Sequence, residues 1–318
     1  MNPIRSLRQL ADSLSTGAGS LRVAVVCGCD ACTLSAVGRA LEAGLGGAVF
    51  VGPDAPVCGR DLPASAAGRV EHLPAASPAD AARLAVGLVR RGEADILMKG
   101  LVGTDVLLRA VLDKTAGLLP AGSVLTHLAV AEPEGYGKLL FFTDVAVIPY
   151  PTDAQREAQL AHALRLCRAC GVEEPRVALV HCSEKPSDKF PHTLHYRALA
   201  AQALEGRWGR AVVDGPLDVR TACDPVALRV KGIASPVGGE ADILVFPDIE
   251  AGNAFYKTLT FFARAATAGV LCGTTRPVVL PSRGDSAADK FHSLALAALL
   301  AARCGAGAAA EAGQNSPS

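Results

Sequence analysis

The sequence predicts an α/β protein built on parallel sheets and organised as two domains. Three observations carry this reading. Short apolar runs alternate with longer helical patterns along nearly the whole chain, as consecutive βαβ units require. Half of the residues are apolar, yet there are only one Trp, four Tyr and nine Phe, so the core is aliphatic, which suits parallel strands buried on both faces. The length, 318 residues, suits two domains of roughly 150 residues each.

The elements follow in order. Residues 21–27 read as a strand, 34–45 as a helix and 47–52 as a second strand, followed by a Pro-rich loop over 53–63. Segment 79–91 is helical, with apolar Ala82, Leu84, Leu88 and Val89, and 94–98 is a buried strand. Further strands are predicted at 123–130, 139–143, 176–182, 210–214, 242–246, 268–273 and 277–281. Further helices are predicted at 104–113, 153–170, 191–205, 225–231, 251–266 and 286–303. The Ala/Gly/Ser-rich stretch 304–318 reads as a disordered tail. There is no internal repeat and no linker between two halves, so the domains are expected to interleave, the C-terminal segment returning to the first.

Charge and composition exclude several classes. Lys and Arg total 31 against 31 Asp and Glu, a formal net charge of zero, which argues against a nucleic-acid partner. No segment reaches the ~18 apolar residues of a membrane span. The start, Met1-Asn2-Pro3-Ile4-Arg5, lacks the apolar core of a signal peptide. The ten cysteines therefore read as reduced thiols of a cytoplasmic protein.

Three strand-to-helix loops carry candidate chemistry, because ligands of open parallel sheets sit beyond the carboxyl ends of the strands. The first is Met98-Lys99-Gly100-Leu101-Val102-Gly103-Thr104-Asp105. Lys99 supplies a cation, Thr104 a hydroxyl, Gly100 and Gly103 a close backbone approach, and the helix start its N–H groups; Arg109 follows in that helix. The plain alternative is an ordinary loop with Thr104 or Asp105 as N-cap. The second is Pro281-Ser282-Arg283-Gly284-Asp285-Ser286-Ala287-Ala288-Asp289. Arg283 is a fork donor suited to phosphate, Ser282 and Ser286 add hydroxyls, Gly284 keeps the approach open, and Asp289 is placed to lean back toward the loop. Its alternative is a Ser286…Asp289 capping-box variant with Arg283 on the surface. The third, Pro247 to Lys257, gathers Asp248, Glu250 and Asn253, with a capping segment as the alternative.

No P-loop, clean dinucleotide fingerprint, zincin or nucleophile-elbow motif occurs. Cys27-Gly28-Cys29-Asp30-Ala31-Cys32 and Cys167-Arg168-Ala169-Cys170 have metal-like spacings but lie far apart, and small core residues are the competing reading. His192 and His195 are expected on a solvated helix face, and His127 as a partly buried structural histidine.

Taken in order, the loops resemble the phosphate acetyltransferase/phosphate butyryltransferase family over about Asp95 to Leu300, two-thirds of the chain. The marks are Met98-Lys99-Gly100, Thr104 with Arg109, Phe142-Thr143-Asp144, Val213-Asp214-Gly215-Pro216-Leu217, Lys231-Gly232-Ile233, Pro247-Asp248 through Gly252-Asn253, Tyr256-Lys257 and Ser282-Arg283-Gly284. The Met-Lys-Gly, Asp-Gly-Pro-Leu and Ser-Arg-Gly-Asp-Ser stretches look more like the butyryltransferase branch. A second CoA-binding Arg that the acetyltransferase branch carries has no assigned counterpart.

The resemblance implies an isocitrate/isopropylmalate dehydrogenase-like fold of two interleaved α/β domains with a cleft between them: 1–120 plus 269–303, and an inserted 121–268. It implies the reaction acyl-CoA + phosphate ⇌ acyl phosphate + CoA, by direct thiol attack in a ternary complex, with no metal and no tightly bound cofactor. Asp289 corresponds to the base for the CoA thiol, Arg283 and Ser282 to residues that bind phosphate and steady the transition state, and Arg109 to a CoA contact. Lys99, Gly100, Thr104, Gly284, Ser286 and Asn253 complete the expected binding set. A homo-oligomer, dimer or larger, and a metabolic link to an acyl kinase are implied as well. Two other classes compete: a metal- and NAD-dependent hydroxyacid dehydrogenase of the same fold, for which no aspartate cluster is evident, and a Cys-based zinc or redox protein.

Overall fold

The computed structural model describes residues 2–282 and 284–314, with side chains through 303. In chain order the elements are α1 (Leu7–Asp12), α2 (Leu14–Gly17), β1 (Arg22–Val26), α3 (Ala31–Glu42), β2 (Gly47–Gly52), β3 (Val70–Pro74), α4 (Pro78–Arg90), β4 (Ile96–Lys99), α5 (Thr104–Val111), β5 (Thr126–Glu132), β6 (Leu140–Thr143), α6 (Asp153–Ala169), β7 (Arg176–Val180), α7 (His192–Leu204), β8 (Val212–Leu217), α8 (Val219–Cys223), α9 (Pro225–Val230), β9 (Ile243–Val245), α10 (Ile249–Phe261), β10 (Ala266–Cys272), β11 (Val278–Val279) and α11 (Ala287–Gln314).

The chain divides into two compact units. One comprises Leu7–Ser123 and Ala268–Ser318; the other comprises Met1–Ser6 and Val124–Thr267. The N-terminal segment thus departs from the expectation that residues 1–120 stay together. Its Ile4 N–H donates to the Cys170 carbonyl at 2.8 Å. That carbonyl closes α6, where the last turn leaves acceptors without intrahelical partners.

In the first unit the strands run in the order β3-β2-β1-β4-β11-β10. Neighbours from β3 to β11 are parallel, and β10 is antiparallel to β11. Val23 to Val26 and Ile96 to Met98 are fully buried, as continuous apolar runs in a covered parallel sheet must be. Helix α4 packs on β1 and β2, and α11 packs along α3. In the second unit the order is β5-β6-β9-β7-β8, parallel from β6 to β8, with β5 antiparallel to β6. The two antiparallel pairs depart from the all-parallel expectation. Their connections, residues 133–139 and 273–277, are too short for a crossover helix.

Three further departures have local causes. Helices α1, α2 and α8 and edge strand β3 are too short to show a period. Helix α11 continues through Gln314, across residues expected to be a disordered tail; their alanines are the strongest helix formers. Asp144, just past β6, is buried at 2% exposure. It accepts from Thr126 Oγ1 at 2.8 Å and from the backbone N–H groups of His127, Ala146, Val147 and Ile148 at 3.2, 2.8, 2.9 and 3.3 Å. Removing the carboxylate strands these donors. Asp144→Ala is therefore expected to lose about 3 kcal/mol of stability, read by urea denaturation.

Candidate functional site

In the first unit the parallel strands β1, β4 and β11 end at one edge, with β4 in the middle. Register pairs Val26 with Lys99 and Met98 with Val279, so the loops that follow emerge side by side. Among the described residues, Lys99 ends β4, and Gly100, Thr104, Arg109, Ser282, Gly284, Ser286 and Asp289 lie on the second and third of these loops or on the helices that they open.

Lys99 ends β4 and is only 3% exposed. Its Nζ donates to the carbonyls of Gly100 at 3.3 Å and Pro281 at 3.4 Å. Pro281 belongs to the loop after β11, so Lys99 ties the two loops together. Gly100 has a packing reason to be glycine: a Cβ there would lie 2.3 Å from the Cys27 carbonyl oxygen and 2.6 Å from that of Val26. The N–H groups of Gly100 and Leu101 donate to these carbonyls, of Val26 and Cys27 respectively, at 2.9 Å each.

Helix α5 takes Gly103 as its N-cap, and no side chain caps it. The alternative of a cap by Thr104 or Asp105 is not formed. Thr104 is exposed at the helix start, beside first-turn N–H groups that no side chain caps, a ready anion site. Arg109 is exposed in the last turn, about 7.5 Å along the axis from Thr104.

The loop after β11 is bonded to itself. The Ser282 N–H donates to Asp285 Oδ2 at 2.7 Å, and the Gly284 N–H to Ser282 Oγ at 3.4 Å. Ser286 Oγ accepts from the Asp289 N–H at 3.1 Å and donates to Asp289 Oδ2 at 2.6 Å. The Ser286…Asp289 part of that alternative is therefore formed, and it turns the Asp289 carboxylate back toward the loop. Arg283 lies outside the described residues.

Two functional candidates escaped the sequence reading. Lys290 is 4% exposed; its Nζ donates to Thr33 Oγ1 at 3.1 Å and stands 3.4 Å from Asp30 Oδ1. Asp30 is the N-cap of α3, accepting from the Thr33 N–H at 3.0 Å. Burial pushes the Asp30 carboxyl up, but Thr33 and Lys290 together outweigh it and hold the group below the usual range. The Asp30…Thr33 capping spacing was the readable signal, hidden inside a cysteine motif.

Asn253 stands in the second unit, on α10, where its Nδ2 donates to the Val145 carbonyl at 2.8 Å. Asp248 caps α10 through the Ala251 N–H, and Glu250 accepts from the Tyr150 hydroxyl at 2.6 Å. The capping-segment alternative describes this stretch.

Nine described cysteines are free thiols. Burial, with Asp54 adding to it, pushes Cys27 and Cys29 up, away from the reactive thiolate. Among the described residues no group of three or more His, Cys, Asp or Glu side chains is placed to hold a metal ion. His192 departs from the solvated face expected of it: its Nε2 lies 3.4 Å from His181 Nδ1. His195 sits 3.3 Å from Asp153, with 12% of its side chain exposed. A cavity of about 270 Å³ opens beside the first loop, lined by residues that include Cys27, Cys29, Asp54, Leu101 and Val102. No described helix is long and apolar enough to cross a membrane. Loss of the Ser286 hydroxyl removes the α11 cap, so Ser286→Ala is expected to cost about 1 kcal/mol in chemical denaturation.

Comparison with known proteins adds independent findings. The family model described as "Phosphate acetyl/butaryl transferase" matches residues 64–298. A phosphate butyryltransferase of Clostridium beijerinckii is 38% identical over 288 residues, covering 89% of this chain and 93% of that protein. A phosphate acetyltransferase of Rhizobium meliloti is 38% identical over 278 residues, covering 86% and 87%. The crystal structure of a branched-chain phosphotransacylase from Enterococcus faecalis V583 superposes with a TM-score of 0.79 at 31% identity, covering 88% of this chain and 99% of that one.

Proposed function

The chain belongs to the phosphate acetyl/butaryl transferase family, and from that premise we propose that it catalyses acyl-CoA + phosphate ⇌ acyl phosphate + CoA on a short acyl group, as a phosphate butyryltransferase. The observation that carries the reading is the shared sheet edge, where β4, which leads into an α5 start that no side chain caps, pairs with β11, whose loop the Asp289 carboxylate faces through Ser286.

The chemistry follows from those groups. A thiol titrates near ~8.5, so a positioned base assists its attack at neutral pH. Asp289 takes the proton as the CoA sulfur attacks the acyl-phosphate carbonyl. The tetrahedral oxyanion then collapses, the bond to phosphate breaks, and phosphate leaves. Arg283 and Ser282 offset the charge that develops on the carbonyl oxygen and the departing phosphate. Thr104 and the first N–H groups of α5 hold phosphate oxygens, with Gly284 leaving room for the approach. Lys99 and Gly100, expected to contact substrate, serve by fastening the loops, and Ser286 serves by orienting Asp289. Arg109 is assigned to an outlying anionic group of CoA, and Asn253 to the turn at Val145. No acyl-enzyme is formed, and the steps call for no resident cofactor.

A homo-oligomeric, cytoplasmic enzyme working beside an acyl kinase that consumes the acyl phosphate belongs to the same proposal. Acetyl rather than butyryl transfer is the second reading, favoured by the equal identity of the Rhizobium meliloti relative. A thiol-release assay over acetyl-, butyryl- and longer acyl-CoA separates the two. Phosphate-dependent release, fastest with butyryl-CoA, is expected, and no release with any chain length would sink the proposal. Arg283→Ala and Asp289→Asn are each expected to lower kcat by about 100-fold or more; full activity in either removes that residue from the mechanism.

A further inference from the structure

We infer that Lys290 and Asp30 are positioning residues for Asp289: their buried contact fastens the first turn of α11 to the start of α3 and so sets where the Asp289 carboxylate stands. This rests on the assignment of Asp289 as the group that takes the thiol proton.

A lysine is almost never fully buried without a reason, because its ammonium loses water. Lys290 is 4% exposed and reaches Thr33 Oγ1 at 3.1 Å and Asp30 Oδ1 at 3.4 Å. The pair is not tuned for stability alone. Asp30 Oδ2 is buried without a hydrogen-bond partner among the described residues, and one long ion pair repays desolvation poorly. Position is what the contact secures.

Consecutive helix residues diverge by about 100°, so Lys290 points to α3 while Asp289 faces the loop. The backbone around them is pinned as well. The Lys290 N–H donates to the Ser286 carbonyl at 3.1 Å. Ser293 Oγ donates to the Asp289 carbonyl at 2.8 Å and accepts from the Gly269 N–H at 2.9 Å. Segment 281–290 is thus held at both ends by buried lysines, Lys99 at Pro281 and Lys290 at α3. The cysteine-rich loop after β1 acquires a role through Asp30, with no metal needed.

The test is the double variant Asp30→Asn/Lys290→Met, which removes both charges together and leaves neither unpaired in the interior. With a parent-like melting temperature, kcat is expected to fall about 10- to 100-fold, the scale of a small misplacement of a reacting group, while KM for CoA and phosphate stays within about twofold. A kcat within about twofold of the parent would overturn the inference, as would a loss confined to KM. If the double variant melts far below the parent, Thr33→Val, which removes only the hydroxyl that Lys290 reaches, is read by the same split. Inactivity of the parent chain in the thiol-release assay sinks the functional reading and this inference with it; an active parent with a full-speed variant sinks this inference alone.

Discussion

The candidate site depends on one constraint: β4 lies between β1 and β11 with all three strands parallel. Parallel pairing puts every carboxyl end on the same side, so the loops after β1, β4 and β11 adjoin although they are nearly two hundred and sixty residues apart at their extremes. The ladder does not stop where the strands stop. It continues as the Gly100 and Leu101 N–H groups reach the carbonyls of Val26 and Cys27, an approach that a side chain at residue 100 would block. Close packing of backbone at the edge brings the loop after β4 beside that after β11, with Lys99 reaching the Pro281 carbonyl, and the candidate site lies there.

Given that edge, the polar side chains divide by what burial demands of them. Lys99 and Lys290 are buried, where they reach carbonyl oxygens, a hydroxyl and a carboxylate of the protein itself. Thr104 and Arg109 are exposed and remain available to an anion from solution. The sequence offers Lys99 as a substrate-binding cation, although a lysine after a strand and before a glycine is compatible with either role. The fold adds the contacts of Lys99 with the Gly100 and Pro281 carbonyls, which its place in the sequence does not reveal.

Much of the architecture was legible for a physical reason. Buried parallel strands must be continuous apolar runs, and Val23–Val26, Gly47–Val51 and Ile96–Met98 are such runs. Long helices such as α6 and α10 were visible within a few residues. Helices α1, α2 and α8 were not, since one turn carries no period, and the direction of β5 and β10 is encoded only in the length of the connections beside them. Within the site, Ser286 and Asp289 were legible as a capping spacing because the interaction is local. Lys290 with Asp30 was not, because the partners are 260 positions apart and nothing in either neighbourhood marks a lysine that turns inward.

Zero net charge takes on a narrower meaning in this light. The proposed substrates, CoA and phosphate, are strongly anionic, yet the chain carries no basic excess to attract them. Two of its lysines near the edge are spent on internal contacts. In the proposed site the attraction comes from groups that cost no net charge, chiefly the N–H groups at the start of α5, reinforced by Thr104 and a small number of arginines. Such a site is strong at contact and weak at a distance, because helix-end dipoles fall off within a turn whereas a charged surface acts over a Debye length. Selection of the anion then depends on how closely it fits the loops, which makes the fixed position of those loops, and of the lysines that hold them, the quantity on which the proposed chemistry turns.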